Sequence, residues 1–240
     1  RTERATDPLS LFRNPERIFS AINEKLEKPV REHLTAVYTT LSIGLSVAAL
    51  GGAAHLFTTA FRAGFMLSLV SFGLMMWLIS TPATRENEKK RFGIFLGFCF
   101  CSGISLGPFL DLAISVDPSI ISTALFTTVV VFGCFSLASL HAESTKYIFL
   151  GSTLMSASFS LLITALFFRS LLSSWFFIAS GLAIACGFVL YDTQLIILKN
   201  RNGDHDYVWH SVELFIDFIQ LFRYIVLLLT DREDRRRRRD

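Results

Sequence analysis

Seven apolar runs separated by short polar turns decide what this chain can fold into. They are Thr35–Phe57, Phe65–Ser80, Phe92–Leu112, Ile120–Leu140, Tyr147–Phe168, Trp175–Leu198 and Ser211–Thr230. Each comes near the roughly 17–25 residues that an α-helix needs to cross a bilayer. Hydrophobic residues make up 52% of the chain, a share that soluble chains of 240 residues rarely reach. The fold expected is an all-α integral membrane protein, a seven-helix bundle. The turns leave no room for a second domain. The expected organisation is a cytosolic N-terminal segment over 1–33, one membrane domain over 34–230 and a basic tail over 231–240. The first run begins after 34 residues and is too long for a signal-peptide core, so no cleavable signal peptide is expected. No nucleic-acid partner is expected.

The last run is the least ordinary. It is apolar enough for a bilayer, yet it carries Glu213, Asp217, Gln220 and Arg223. At about 100° per residue, Glu213, Asp217 and Gln220 fall within about 60° of one another on a helix, and His210 extends the stripe by one turn. A carboxylate at mid-membrane costs about 2.5–3.5 kcal/mol even on the gentlest insertion scale. Such residues face a bundle interior or a water-filled path and are functional candidates.

Charge sets the expected orientation. Arg1, Arg4, Arg13, Arg17, Lys25, Lys28 and Arg31 precede the first run, and Arg85, Lys89, Lys90 and Arg91 precede the third. The positive-inside rule therefore puts the N-terminus and the 81–91 turn in the cytoplasm. The tail, with Arg232 and Arg235–Arg239, conflicts with this. Seven spans put it on the opposite face; six spans and a re-entrant last segment put it in the cytoplasm, which the charge rule favours. The sequence leaves its side open. Near the N-terminus, Ile18, Phe19, Ile22 and Leu26 alternate with charged residues between Pro15 and Pro29. The pattern fits a short helix lying on the membrane surface, with a polar leader as the alternative.

Two runs carry small or hydroxyl faces: Thr35, Thr39, Ser42 and Ser46 in the first, and Gly97, Cys101, Gly103, Ser105 and Gly107 in the third. Small faces let membrane helices approach closely, and packing is the expected role of both. Gly107-Pro108 should kink or end its helix, and Asp111 should sit hydrated at the membrane interface. Cys99, Cys101, Cys134 and Cys186 all lie inside apolar runs, so neither a disulfide framework nor a cysteine metal site is expected.

A second buried acid, Asp192, lies in the sixth run, about six residues before its end. Asp217 lies about seven residues into the next run from the same face. At 1.5 Å per residue both sit about 9–11 Å deep, so the two carboxyls can meet. Two close carboxylates in a low dielectric resist ionising together; such a pair keeps one proton and titrates as a unit. It could act as a proton sensor, a proton relay or a weak cation site. A bound calcium ion would ask for six to eight oxygens, so as a cation site Asp192 and Asp217 suit only weak, transient binding, and no cofactor is expected. Glu213, one turn nearer the surface, is expected to line the mouth of the path. The alternative is that the acids are hydrogen-bonded packing residues.

Four stretches carry a family resemblance: Gly103–Leu110 (GISLGPFL), Val116–Ile120 (VDPSI), Cys186–Ile197 (CGFVLYDTQLII) and Gly203–Arg223 (GDHDYVWHSVELFIDFIQLFR). On these the chain resembles the transmembrane Bax-inhibitor-motif family, with weaker similarity from His33 to the basic tail. The resemblance implies a last, central helix wrapped by the other six. It implies residence in the endoplasmic reticulum membrane, suppression of programmed cell death and a pH-sensitive calcium leak. Its partners would be membrane lipids, calcium and protons, and Bcl-family and other endoplasmic reticulum proteins. The family's pH-sensing acidic pair falls on Asp192 in YDTQ and Asp217 in FIDF. Its basic tail falls on Arg235, Arg236, Arg237, Arg238 and Arg239. Bacterial relatives latch the pair with an arginine on helix two; Arg62 lies too near the end of its run to be given that part. A non-conducting scaffold that regulates cell-death or stress-signalling partners is the alternative. An intramembrane aspartyl protease would need GxGD and PAL motifs that the chain lacks, and no enzyme activity is expected.

Overall fold

A computed structural model describes residues 27–57, 65–142, 149–168 and 175–237. The surface helix expected around 18–26, Arg62, and Arg238 and Arg239 lie outside them. The described residues are almost wholly helical: α1 (Lys28–Phe57), α2 (Phe65–Ser80), α3 (Glu88–Ser105), α4 (Gly107–Val116), α5 (Ser119–His141), α6 (Leu150–Phe167), α7 (Trp175–Arg201) and α8 (Tyr207–Arg237). α3 and α4 are two parts of one run. The amide of Leu106 still reaches the carbonyls of Ser102 and Gly103, and α4 restarts with Pro108 in its first turn, where the missing N–H costs nothing. Seven helical units therefore match the seven apolar runs. Five are long and apolar enough to cross a membrane; α2 is shorter, and α8 carries its charges. The chain is a multi-pass membrane protein.

α8 is the best-packed element. It lies against α1, α3, α4, α5 and α7 and buries fourteen residues, among them Phe215, Asp217, Phe218 and Leu221. α2 packs chiefly on α3, and α6 packs on α7. α6 buries only Gly151 and leaves Met155, Phe159, Leu162 and Phe167 exposed, the surface expected of a helix facing lipid.

α1 and α3 approach closely enough that a Cβ on Gly103 would run into the backbone of Ala48. The small face of the third run does pack. The hydroxyl face of α1 does not: Thr35, Thr39, Ser42 and Ser46 are exposed, and Val37, Leu41, Gly44 and Ala48 turn inward. The hydroxyls of Thr35, Ser42 and Ser46 bond the carbonyls four residues back, so their polarity is absorbed within the helix.

α8 also corrects the re-entrant alternative. Its 31 residues span about 46 Å, more than the roughly 30 Å hydrocarbon core. Its first residue, Tyr207, donates to Glu88 (2.6 Å), and Arg91 pairs with Asp206. Its last turn brings Arg237 within 4.0 Å of Asp117, in the turn between α4 and α5. The helix runs from one end of the bundle to the other. The basic end therefore lies on the face opposite the start of α1, not beside it as the charge rule favoured. It is also not a separate tail at first: residues 231–237 are the last two turns of α8.

Candidate functional site

Asp192 on α7 and Asp217 on α8 bring their carboxyls close enough to interact directly. An ionised carboxylate only accepts, so two carboxyls this close can bond one another only through a proton held on one of them. Asp217 is 7% exposed, and its Oδ2 has no hydrogen-bond partner among the described residues. Around the pair, Thr193 and Gln194 are buried on α7 and Ser136 and Ser139 on α5. The Ser139 hydroxyl donates to the carbonyl of Leu190 (2.7 Å), and Gln194 donates back to the carbonyl of Ser139 (3.4 Å). These bonds clamp α5 onto the turn of α7 that carries Asp192.

Glu213 lies one turn before Asp217, within electrostatic reach of both aspartates. Its Oε1 is already engaged. It accepts from Lys199 Nζ (2.6 Å) and from the indole of Trp209 (2.9 Å), while Oε2 is buried with no partner among the described residues. Lys199 is the residue that the sequence reading missed. It follows the last apolar residue of the sixth run, where a cation favours the helix C-terminus and reads as an end signal.

The stripe on α8 divides. His210 does not meet the acids; its Nδ1 is 2.8 Å from Nε2 of His33, and Asp204 lies 3.7 Å from its Nε2. Gln220 is exposed beside Ile216, at a crevice lined by α6 and α7 residues such as Leu161 and Phe188. A 60° stripe is wide enough that its edge leaves the buried sector. Arg223 lies over the ring of Phe109, 5.5 Å from its centroid, a cation–π contact rather than a counter-charge to the pair. Asp111 is 62% exposed, as expected at an interface, and accepts from His55 (3.1 Å).

Above the pair the bundle end is tied shut by charge. Arg91, buried, holds the carbonyl of Thr81 and the carboxylate of Asp206. Asp206 in turn caps α8 by accepting from the amide of Trp209 (3.1 Å). Burial, and next the hydrogen bond to Glu88, push the Tyr207 phenol up to about 12, so it stays a donor. A polar cup of 540 Å³ opens here, lined by Arg85, Glu88, Arg91, Asp204 and Tyr207. Among the described residues no three His, Cys, Asp or Glu side chains are arranged to hold a metal ion, and all four cysteines are free.

Comparison with known proteins gives consistent matches. The family model described as "Inhibitor of apoptosis-promoting Bax1" matches residues 30–234. The chain is 46% identical to "Bax inhibitor 1" of Bos taurus over 209 residues, covering 85% of this chain and 87% of that protein. It is 44% identical to "Bax inhibitor 1" of Homo sapiens over 209 residues, with the same coverage. It is 37% identical to "Bax inhibitor 1" of Oryza sativa subsp. japonica over 218 residues, covering 88% of this chain and 85% of that one.

Proposed function

This chain belongs to the family of inhibitors of apoptosis-promoting Bax1, and from that premise we propose that it suppresses programmed cell death from the endoplasmic reticulum membrane, where it gives a pH-sensitive calcium leak. One observation carries the leak: two acids from adjacent helices bring their carboxyls together inside a membrane bundle. In this reading α8 is the central helix, with the other six wrapped about it. Asp192 and Asp217 are the proton-sensing pair and a weak Ca²⁺ site, and Glu213 supports cation entry. Few oxygens line the pair, so calcium passes rather than stays. The second proton would discharge the pair and release its attraction for Lys199 and for any bound cation. The conducting population therefore grows as pH falls. The basic run Arg235–Arg239 faces anionic headgroups or a regulatory partner, and Bcl-family proteins are the partners that the family premise suggests. No step of this function is enzymatic.

The test is Ca²⁺ flux into dye-loaded proteoliposomes between about pH 8 and pH 6, since a close carboxylate pair has its upper pKa raised. Asp217→Asn should abolish most of the leak, and Asp192→Asn should chiefly remove its pH dependence. If both variants keep wild-type flux and pH response, the pair is structural and the mechanism fails. The engagement of Glu213 by Lys199 and the Arg91–Asp206 tie favour a second reading, a non-conducting scaffold that regulates cell-death or stress-signalling partners. Wild-type liposomes that pass no Ca²⁺ at any pH would select it.

A further inference from the structure

Along α7, flanked by Phe135 of α5 and Leu228 of α8, runs an apolar groove of 680 Å³. Its floor is a stripe of α7: Trp175, Ala179, Leu182, Cys186 and Leu190. Ser139 fastens α5 to α7 at the Leu190 end, and the other end opens at Trp175, the first residue of α7 and 56% exposed. From 175 to 190 the groove is about 22 Å long, more than the half of the roughly 30 Å hydrocarbon core that one leaflet supplies. At the open end it meets Arg232 of α8. Arg232 also borders a second, more polar hollow of 380 Å³, which holds Arg236 and the hydroxyl residues Ser119 and Thr123, with Asp117 and Glu233 on its rim.

The arginines of this end differ. Arg235 is paired with Asp231 (3.0 Å), and Arg237 with Glu233 (3.9 Å) and Asp117 (4.0 Å). Arg232 and Arg236, one turn apart and exposed, have no carboxylate partner among the described residues. Asp117 and Glu233 are thus the carboxylates already drawn to Arg237. A slot for a hydrocarbon chain therefore ends at two uncompensated guanidiniums, with an indole at the depth where Trp sits at membrane interfaces. We infer that this groove is a binding site for one anionic phospholipid, with an acyl chain along α7 and the phosphate between Arg232 and Arg236. Charge complementarity selects the anionic headgroup. The hydrophobic slot selects a long-chain lipid over free phosphate. The inference extends the tail reading above from a diffuse surface charge to a built site.

The experiment is native mass spectrometry of the full chain released from mixed micelles holding equal phosphatidylglycerol and phosphatidylcholine. Arg232→Gln with Arg236→Gln should weaken retention of phosphatidylglycerol by about twenty-five-fold, roughly fivefold per arginine, and leave phosphatidylcholine as it was. Arg235→Gln with Arg237→Gln should change it less than about twofold, since those charges are already paired. Ala179→Phe, which fills the slot and leaves every arginine in place, should also lower retention. Inorganic phosphate should not displace the lipid. Equal losses from the two arginine pairs would overturn the site while leaving a diffusely charged tail. Full retention in Ala179→Phe, or displacement by phosphate, would overturn the acyl-chain slot.

Discussion

At the residue scale, the environment of each acid matters more than its position in a stripe. Glu213 and Asp217 are one turn apart, yet one carboxyl is matched by an ammonium and an indole and the other by a second carboxyl. This separates two roles that the sequence places together. Under the leak reading, Glu213→Gln should lower Ca²⁺ flux modestly and leave its pH midpoint in place. Lys199→Gln should raise the flux, because it frees a carboxylate that faces the path. Proteoliposome flux at fixed pH measures both; a large midpoint shift in Glu213→Gln would reassign Glu213 to the sensing pair. His210 shows the same principle, since its imidazole is spent on His33 of α1 and it joins the packing of α1 on α8.

At the scale of elements, the bundle rests on close contacts that tolerate no added atoms and on ties between turns. Gly103→Val would push α3 off the backbone of Ala48, and overpacking of this kind costs about 1–3 kcal/mol. Gly73→Ala, where an added Cβ meets nothing within 4 Å, should stay within about 0.5 kcal/mol of the parent. Thermal unfolding of the two variants in one detergent compares them; equal midpoints would show that the α1–α3 seam yields freely. Arg91 ties three elements, through the end of α2, its own α3 and the turn before α8. Arg91→Ala leaves Asp206 part-buried without its cation and should cost about 3 kcal/mol, read in the same melts. A loss below about 0.5 kcal/mol would mean that the tie is replaced by solvent.

For the whole molecule, the path of α8 sets the sidedness. With His33, Arg91 and Asp206 at one end and Asp117 and Arg237 at the other, the start of α1 and the basic end of α8 lie at opposite ends of the bundle. Glycosylation acceptors placed before Arg1 and after Asp240 should therefore be modified in opposite orientations in microsomes: one glycosylated, the other not. Identical behaviour of the two would return α8 to a re-entrant course.

The sequence by itself determined the number of helices, their membrane setting and the two aspartates that meet. These follow from quantities that add along the chain: transfer free energy over some twenty residues, rise per residue, and equal depth counted from a shared turn. The break at Leu106 was legible for the same reason, since Pro108 acts on its own backbone. Tertiary structure alone decided which side of each helix turns inward. It put the hydroxyl face of α1 outside, moved Gln220 off the acidic stripe, gave Glu213 to Lys199 and His210 to His33, and carried α8 through to the far face. The angular phase of a helix is fixed by the neighbours it packs against, and those lie up to 177 positions away along the chain, as His33 and His210 do.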